Sequence, residues 1–182
     1  MRTVILDTET TGLRPGVDEI VQLAIIDGEG GVLFDSYIRP EKTQRWDEAQ
    51  KIHGIAPETV RSAPTLREVA DRIQTIIDSA DVIVGYSVNF DYSMLACAGI
   101  RFDGFYKDEP TLRLVDVMEL FAPVYGEWDE YHGNWKWQKL STAAAYYGYE
   151  WGDECAHDAL ADCRATLYVW KKLKEALQDE NG

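Results

Sequence analysis

Two carboxylates, Asp7 and Glu9, close the apolar run Val4-Ile5-Leu6 and precede Thr10-Thr11-Gly12-Leu13. Side chains at i and i+2 of a strand project from one face, so both carboxylates can reach a single cation. Two unpaired anions in a buried strand repel each other and lose hydration, a conflict that a divalent cation resolves. The same residues also fit an ordinary strand end entering a polar turn, because Asp, Thr and Gly are common in turns. Asp91 extends the set. It lies just after the apolar Val82-Ile83-Val84, at the start of a helical segment, the edge where α/β sheets place their ligands. Favouring that helix's N-terminal dipole is its local alternative. His157 and Asp162 are five positions apart, about 500° of helical rotation, and so do not share a face of one regular helix. This places His157 in a turn before the last helix and Asp162 in that helix's first turns. Imidazole titrates near neutrality and suits general-base work on a metal-bound water; an exposed His beside a surface Asp is the simpler alternative.

The elements that must position these groups follow from periodicity. Residues 2–7, 19–27 and 31–38 read as strands, with Asp27-Gly28-Glu29-Gly30-Gly31 as a hairpin connection, so the chain opens as an antiparallel meander. Short helices at 46–52 and 57–62 flank Ile52-His53-Gly54-Ile55. Thr65 and Glu68 form a capping-box signature ahead of Leu66, Val69, Ile73, Ile76 and Ile77 at helical spacing. Val82 to Val84 is a strand and Asn89 to Ala98 a helix, an order that implies a parallel crossover. Residues 101–111, with Gly104 and Pro110, read as a loop; Leu112 to Val115 as a strand, with a helix from about Asp116; 126–138 as a loop; Leu140 to Tyr147 as a short helix. A last helix from about Asp158 to Leu177 carries Leu160, Cys163, Leu167, Trp170, Leu173 and Leu177 on one stripe. The expectation is a single α/β domain over residues 1–182: a mixed sheet, with a three-stranded antiparallel start plus parallel strands, flanked by helices.

Composition narrows the function. With 46% hydrophobic and 27% charged residues the chain is globular rather than disordered. It has no membrane-length apolar stretch and no secretory signal pattern, which predicts a cytoplasmic protein that does not engage membranes. Cys97, Cys155 and Cys163 form no Cys-x-x-Cys pair, so neither a disulfide framework nor a zinc ribbon is expected, and Cys163 reads as a small packed residue. A net charge of −14 argues against broad electrostatic attraction to nucleic acid. It leaves room for a nucleic-acid enzyme, because bound cations invert the field around clustered acids.

Taken together, Asp7-Thr8-Glu9-Thr10-Thr11-Gly12-Leu13, Ile52-His53-Gly54-Ile55, Asn89-Phe90-Asp91 and Ala156-His157-Asp158-Ala159-Leu160-Ala161-Asp162 resemble the DEDDh, or DnaQ-like, 3′-to-5′ exonucleases over about residues 3–175. The resemblance implies a ribonuclease-H-like fold and two divalent cations, Mg²⁺ or Mn²⁺. It assigns Asp7, Glu9 and Asp162 to the first ion, Asp7 as a bridge to the second, Asp91 as support for the second, and His157 as the base that activates water. It further implies that Thr10, Gly12 and Leu13 hold the terminal nucleotide, with His53 and Phe90 on its sugar and base sides. Many relatives carry His-Asn-Ala where this chain has Tyr86-Ser87-Val88; Ser87 can still hydrogen-bond, with a shorter reach.

The implied activity is hydrolysis at single-stranded 3′ ends, releasing nucleoside 5′-monophosphates, with DNA favoured over RNA. The alternatives are an RNA-trimming or oligoribonucleotide-degrading enzyme, and a non-catalytic binding module. A polymerase or other protein partner, or a homodimer, is compatible with the pattern. Trp128, Tyr131, Trp135 and Trp137 could stack bases with Lys136 and Lys139 near phosphates, although burial or a partner interface is the commoner use of such side chains.

Overall fold

Alternation along the first strand separates the two halves of the core. In the computed structural model, which describes residues 1–105, 111–152 and 156–179 (177–179 by backbone alone), β1 runs Thr3–Thr10. It is followed by β2 (Ile20–Asp27), β3 (Val32–Tyr37), α1 (Asp47–His53), α2 (Pro57–Val60), α3 (Leu66–Asp78) and β4 (Val82–Gly85). Then come α4 (Val88–Cys97), β5 (Arg113–Asp116), α5 (Val117–Tyr125), β6 (Trp128–Asp129), β7 (Asn134–Trp135), α6 (Leu140–Tyr146) and α7 (Ala159–Asp179). The main sheet has the order β3-β2-β1-β4-β5; β1–β2 and β2–β3 pair antiparallel, β1–β4 and β4–β5 parallel. This is the mixed α/β sheet expected from the element order, flanked by helices on both sides.

Val4 and Leu6 face one layer, packed with Leu23, Ile25 and Ile83 against α3 and α4 through Ile73, Ile77, Met94 and Leu95. Ile5 faces the other, with Ala24, Ile26 and Val84 against α5, α6 and α7 through Phe121, Ala143, Cys163 and Trp170. Cys163 is buried as expected and Cys97 is exposed, while Cys155 lies outside the described residues. Thr65 and Glu68 form the predicted capping box: the Thr65 hydroxyl accepts from the Glu68 N–H, and the Glu68 carboxylate accepts from the Thr65 N–H at 2.7 Å.

A β-bulge interrupts β1–β2 where Glu9 pairs Gln22 but Thr10 pairs Ile20. Bulges commonly re-aim side chains beside sites. Here the skipped residue, Val21, packs in a third small cluster with Trp46, Ile55 and Val60. The Trp46 indole donates to the Ile55 carbonyl at 2.7 Å, fixing the segment that carries His53.

One local expectation fails. Residues 126–138 are not an irregular loop but contain the β6–β7 hairpin, with Trp128 opposite Trp135 and Asp129 opposite Asn134. Strands of two residues are too short for alternation to register in sequence. Its aromatic side chains are exposed, so burial in a core is excluded as their use. Of the expected 101–111 loop, residues 106–110, including Pro110, lie outside the described residues. Among the described residues no helix is long and apolar enough to cross a membrane.

Candidate active site

The carboxyl ends of β1, β4 and β5 meet at one edge of the sheet. Asp7 and Glu9 lie on the same face of β1 as Ile5, toward α7, which brings Asp162 over them from its first turn. One ligand atom each from Glu9, His157 and Asp162 lies within 4.8 Å of the others. Asp91, buried in the first turn of α4, reaches the same edge from beyond β4. Its Oδ1 accepts from the Thr8 N–H at 3.0 Å and from the Thr8 hydroxyl at 2.6 Å. The structure therefore assembles the five groups from β1, α4 and the start of α7.

Electrostatically the cluster is under load. The Asp7 carboxyl is held well above the usual carboxylate range, first by burial, then by the charges of Asp91, Asp162, Glu9 and Asp158. Glu9 is pushed up to about 8 by burial, then by Asp162, Asp91 and Asp158. Burial raises Asp91 to about 7 despite the opposing Thr8 hydrogen bonds, with Asp116 adding to the rise. Asp162 rises to about 6 through burial, partly offset by its bond from the His157 N–H. Among the described residues no Lys or Arg forms an ion pair with any of these four acids. Buried like charges without a cationic side chain are the donor set that divalent cations fit.

His157 lies in the turn before α7, as its spacing from Asp162 implies, and its backbone is left-handed at φ 70°. Its N–H points at both Asp162 oxygens, each at 3.3 Å, and its side chain is exposed. Two residues that sequence reasoning missed hold this turn. Asp158 caps α7, its Oδ1 accepting from the Leu160 and Ala161 N–H groups at 3.2 and 3.1 Å. Buried Gln22, paired with Glu9 across the sheet, donates from Nε2 to Asp158 Oδ2 at 2.9 Å and accepts the Ala159 N–H at 3.2 Å. The signals were present: Gln22 is the one polar residue in the apolar run from Ile20 to Ile26, and a buried amide requires partners.

The remaining expected residues separate by environment. Thr10 is buried, its hydroxyl donating to the Gly12 carbonyl at 2.7 Å. A Cβ on Gly12 would stand 2.7 Å from the Asp18 carboxylate, which closes the loop by accepting the Arg14 N–H at 2.9 Å. Leu13, next in that loop, is 81% exposed and so is not a core residue. His53 Nε2 lies 3.2 Å from the Thr10 carbonyl while Nδ1 accepts the Ile55 N–H at 3.0 Å. Partial burial, together with the nearby His157, lowers its pKa against the opposing Thr10 bond. Phe90 is half-buried against the core layer of α3 and α4. Ser87, also left-handed at φ 69°, is held by a third missed residue: Asp116, whose Oδ1 accepts the Ser87 and Met118 N–H groups at 3.0 and 3.1 Å.

Sheet order and acidic edge together define a nuclease-type hydrolase. A family model described as Exonuclease (RNase_T) matches residues 4–170, and the chain belongs to that family, as a DEDDh, DnaQ-like 3′-to-5′ exonuclease. An uncharacterized exonuclease, CP81, of Escherichia phage 186 is 35% identical over 172 residues, covering 91% of this chain and 84% of that protein. A DNA polymerase III subunit epsilon-like protein of Rhodobacter capsulatus is 32% identical over 96% of this chain, and a PolC-type DNA polymerase III of Thermotoga maritima 34% over 96%. The chain spans only 24% and 12% of those two proteins. The zinc-bound E. coli ExoI–ssDNA complex superposes with a TM-score of 0.77 at 24% identity, over 96% of this chain and 40% of that one, and supports the ribonuclease-H-like fold.

Three measurements probe this site. Gln22→Leu leaves the Asp158 carboxylate and the Ala159 N–H short of a partner, so urea unfolding should show a loss of about 1–3 kcal/mol. An unchanged midpoint would show that the amide holds nothing. Ser87→Asn, a residue that tolerates the left-handed region better, should leave stability unchanged or raise it by up to about 1 kcal/mol; a clear loss would show that the left-handed backbone does not limit stability there. The raised carboxyls also set a pH dependence. Well below the ordinary carboxyl pKa of about 4 they are protonated in both folded and unfolded chains. As pH rises toward 8 the unfolded chain releases these protons first, and metal-free native stability falls. The melting-point rise given by Mn²⁺ should therefore be small near pH 5 and larger near pH 8. Equal rises at both values would dissociate the cation from these acids.

Proposed function

We propose that this exonuclease hydrolyses the terminal phosphodiester bond at single-stranded DNA 3′ ends, releasing nucleoside 5′-monophosphates. The observation that carries the reading is the acidic edge itself, where ligand atoms of Glu9, Asp162 and the exposed His157 lie within 4.8 Å of one another and Asp7 and Asp91 are buried beside them. Asp7, Glu9, Asp91 and Asp162 would hold two divalent cations, Mg²⁺ or Mn²⁺. Bound there, two cations supply charge stabilisation to the attacking and leaving oxygens of an in-line displacement.

The chain's own groups do the rest. His157 takes a proton from the attacking water at an imidazole nitrogen, and its exposure lets that proton pass to solvent. Gln22 and Asp158 fix the turn that aims the ring. Thr8 keeps Asp91 an acceptor facing the edge. Thr10, Gly12 and Leu13 cradle the terminal nucleotide, exposed Leu13 offering an apolar surface to its base. His53 has both ring nitrogens engaged, by Thr10 and Ile55, so it supports the nucleotide loop from behind and meets the sugar only by its ring edge. Phe90 and Ser87 border the sugar and base side. DNA is favoured because the relatives include parts of DNA polymerase III, and the similarly folded ExoI is solved bound to ssDNA.

Purified chain with Mn²⁺ should shorten 5′-labelled DNA oligonucleotides stepwise from the 3′ end, faster than RNA of the same sequence at matched salt. Preference for RNA would reverse the substrate assignment. Asp7→Asn should lower kcat on the order of a thousandfold, the value of losing several kcal/mol of metal-borne stabilisation. The same change removes one of the mutually repelling charges, so the metal-free variant should melt no lower than wild type. Normal turnover in Asp7→Asn would exclude Asp7 from the site.

A further inference from the structure

We infer that the hairpin at residues 127–138 is a stacking platform for unpaired bases upstream of the terminal nucleotide, an inference that rests on the function proposed above. Four of its side chains are large and exposed: Trp128 (51%), Tyr131 (91%), Trp135 (40%) and Trp137 (60%). Elsewhere the fold buries Trp46 and Trp170. The hairpin is also fixed in shape. Trp128 and Trp135 meet edge to face across the strands with centroids 5.0 Å apart, a geometry that leaves ring faces open. Asp129 Oδ1 accepts the Tyr131 and His132 N–H groups at 2.9 and 3.1 Å, closing the tip. Lys136 and Gln138 both bond the Glu127 carboxylate, at 2.7 and 3.0 Å, closing the base.

Position and composition select the occupant. The Tyr86 hydroxyl donates to the Gln138 carbonyl at 2.8 Å, and Tyr86 adjoins Ser87, the residue that opens the helix carrying Asp91. The hairpin is therefore continuous with the β4 side of the acidic edge. Between residues 126 and 138 there is no Ala, Val, Leu, Ile or Met; its apolar surface is aromatic throughout. That surface suits bases, each of which has a π face on which a ring can stack. Charge argues against a phosphate track: Glu127, Asp129 and Glu130 outnumber Lys136, which is itself paired with Glu127. Contact is thus through bases, indifferent to sequence and weakly dependent on salt.

The test compares steady-state cleavage of a dinucleotide, too short to leave the acidic edge, with an oligothymidylate of about twenty nucleotides, using wild type, Trp137→Ala, Tyr131→Ala and Trp137→Phe. For the long substrate Trp137→Ala should raise KM about fivefold or more with kcat unchanged, equally at low and high salt, and Trp137→Phe should restore most of it. Both constants should stay at wild-type values on the dinucleotide. The platform is overturned by an unchanged KM on the long substrate, by equal changes on both substrates, or by an increment that vanishes at high salt. It is equally overturned if wild type is a dimer in light scattering and Trp137→Ala a monomer, which would make the hairpin an interface between copies. If wild type cleaves neither substrate, the proposed function fails; the platform then stands if the oligonucleotide quenches tryptophan fluorescence in wild type but not in Trp137→Ala, and falls otherwise.

Discussion

Confinement of Asp7, Glu9, Asp91 and Asp162 to one buried edge is the constraint on which the site depends. Burial raises the proton affinity of all four, the charges of Asp91 and Asp162 add to the rise at both Asp7 and Glu9, and none has a Lys or Arg partner among the described residues. Left free, such groups would separate. The sheet prevents it: Asp7 and Glu9 are fixed by antiparallel pairing to Ala24 and Gln22, parallel pairing of β1 with β4 delivers α4, and the packing of Cys163 and Leu167 holds the first turns of α7 over the pair. The apolar layers above and below the strands thus resist a local electrostatic cost of the site's own making, as expected where binding groups are preorganised before their ligand arrives.

Backbone strain falls in the same places. Among the described residues Ser87 and His157 are the two non-glycine positions with left-handed φ; Ser87 caps α4 and His157 lies two residues before α7, the two acid-bearing helices. Each is also tied down by a carboxylate outside the acid set, Asp116 for the Ser87 turn and Asp158 for the His157 turn. Gln22 adds the long-range link, joining the turn ahead of α7 to the strand beside Glu9. Capping, which in most helices only satisfies orphan N–H groups, here also sets the distance between chemical groups contributed by different parts of the chain.

Much of this was legible before any coordinates. Spacing of two placed Asp7 and Glu9 on one strand face, spacing of five separated His157 from the helix bearing Asp162, and Thr65 with Glu68 marked the start of α3; each is a rule over a few consecutive residues, and the structure agrees. What sequence could not convey was long-range. Gln22 meets Asp158 across 136 positions and Ser87 meets Asp116 across 29, and no local period encodes such pairings. The hairpin escaped for the opposite reason: two-residue strands carry too few positions for a period, although the Asp129-to-Gly133 turn that forms it is local. The mixed role of His53 was hidden too, because its partner is the backbone carbonyl of Thr10, which any residue could have supplied.

Charge imposes the last constraint. A chain of net charge −14 gains no long-range attraction for a polyanion. In the proposed function, cations at the acidic edge invert the field there and nowhere else. Affinity for a strand must then come from that one inverted point and from contacts that carry no charge. The exposed features near the edge are of that kind: Leu13 on the loop after β1 and the aromatic rings of the hairpin, with Lys136 paired to Glu127. Such an enzyme would hold a 3′ end only when its metals are present and would slide on the rest of the strand with little electrostatic drag, whereas a basic channel would bind duplex and strand ends alike. In the proposed function the acidity of the chain would therefore favour free 3′ ends.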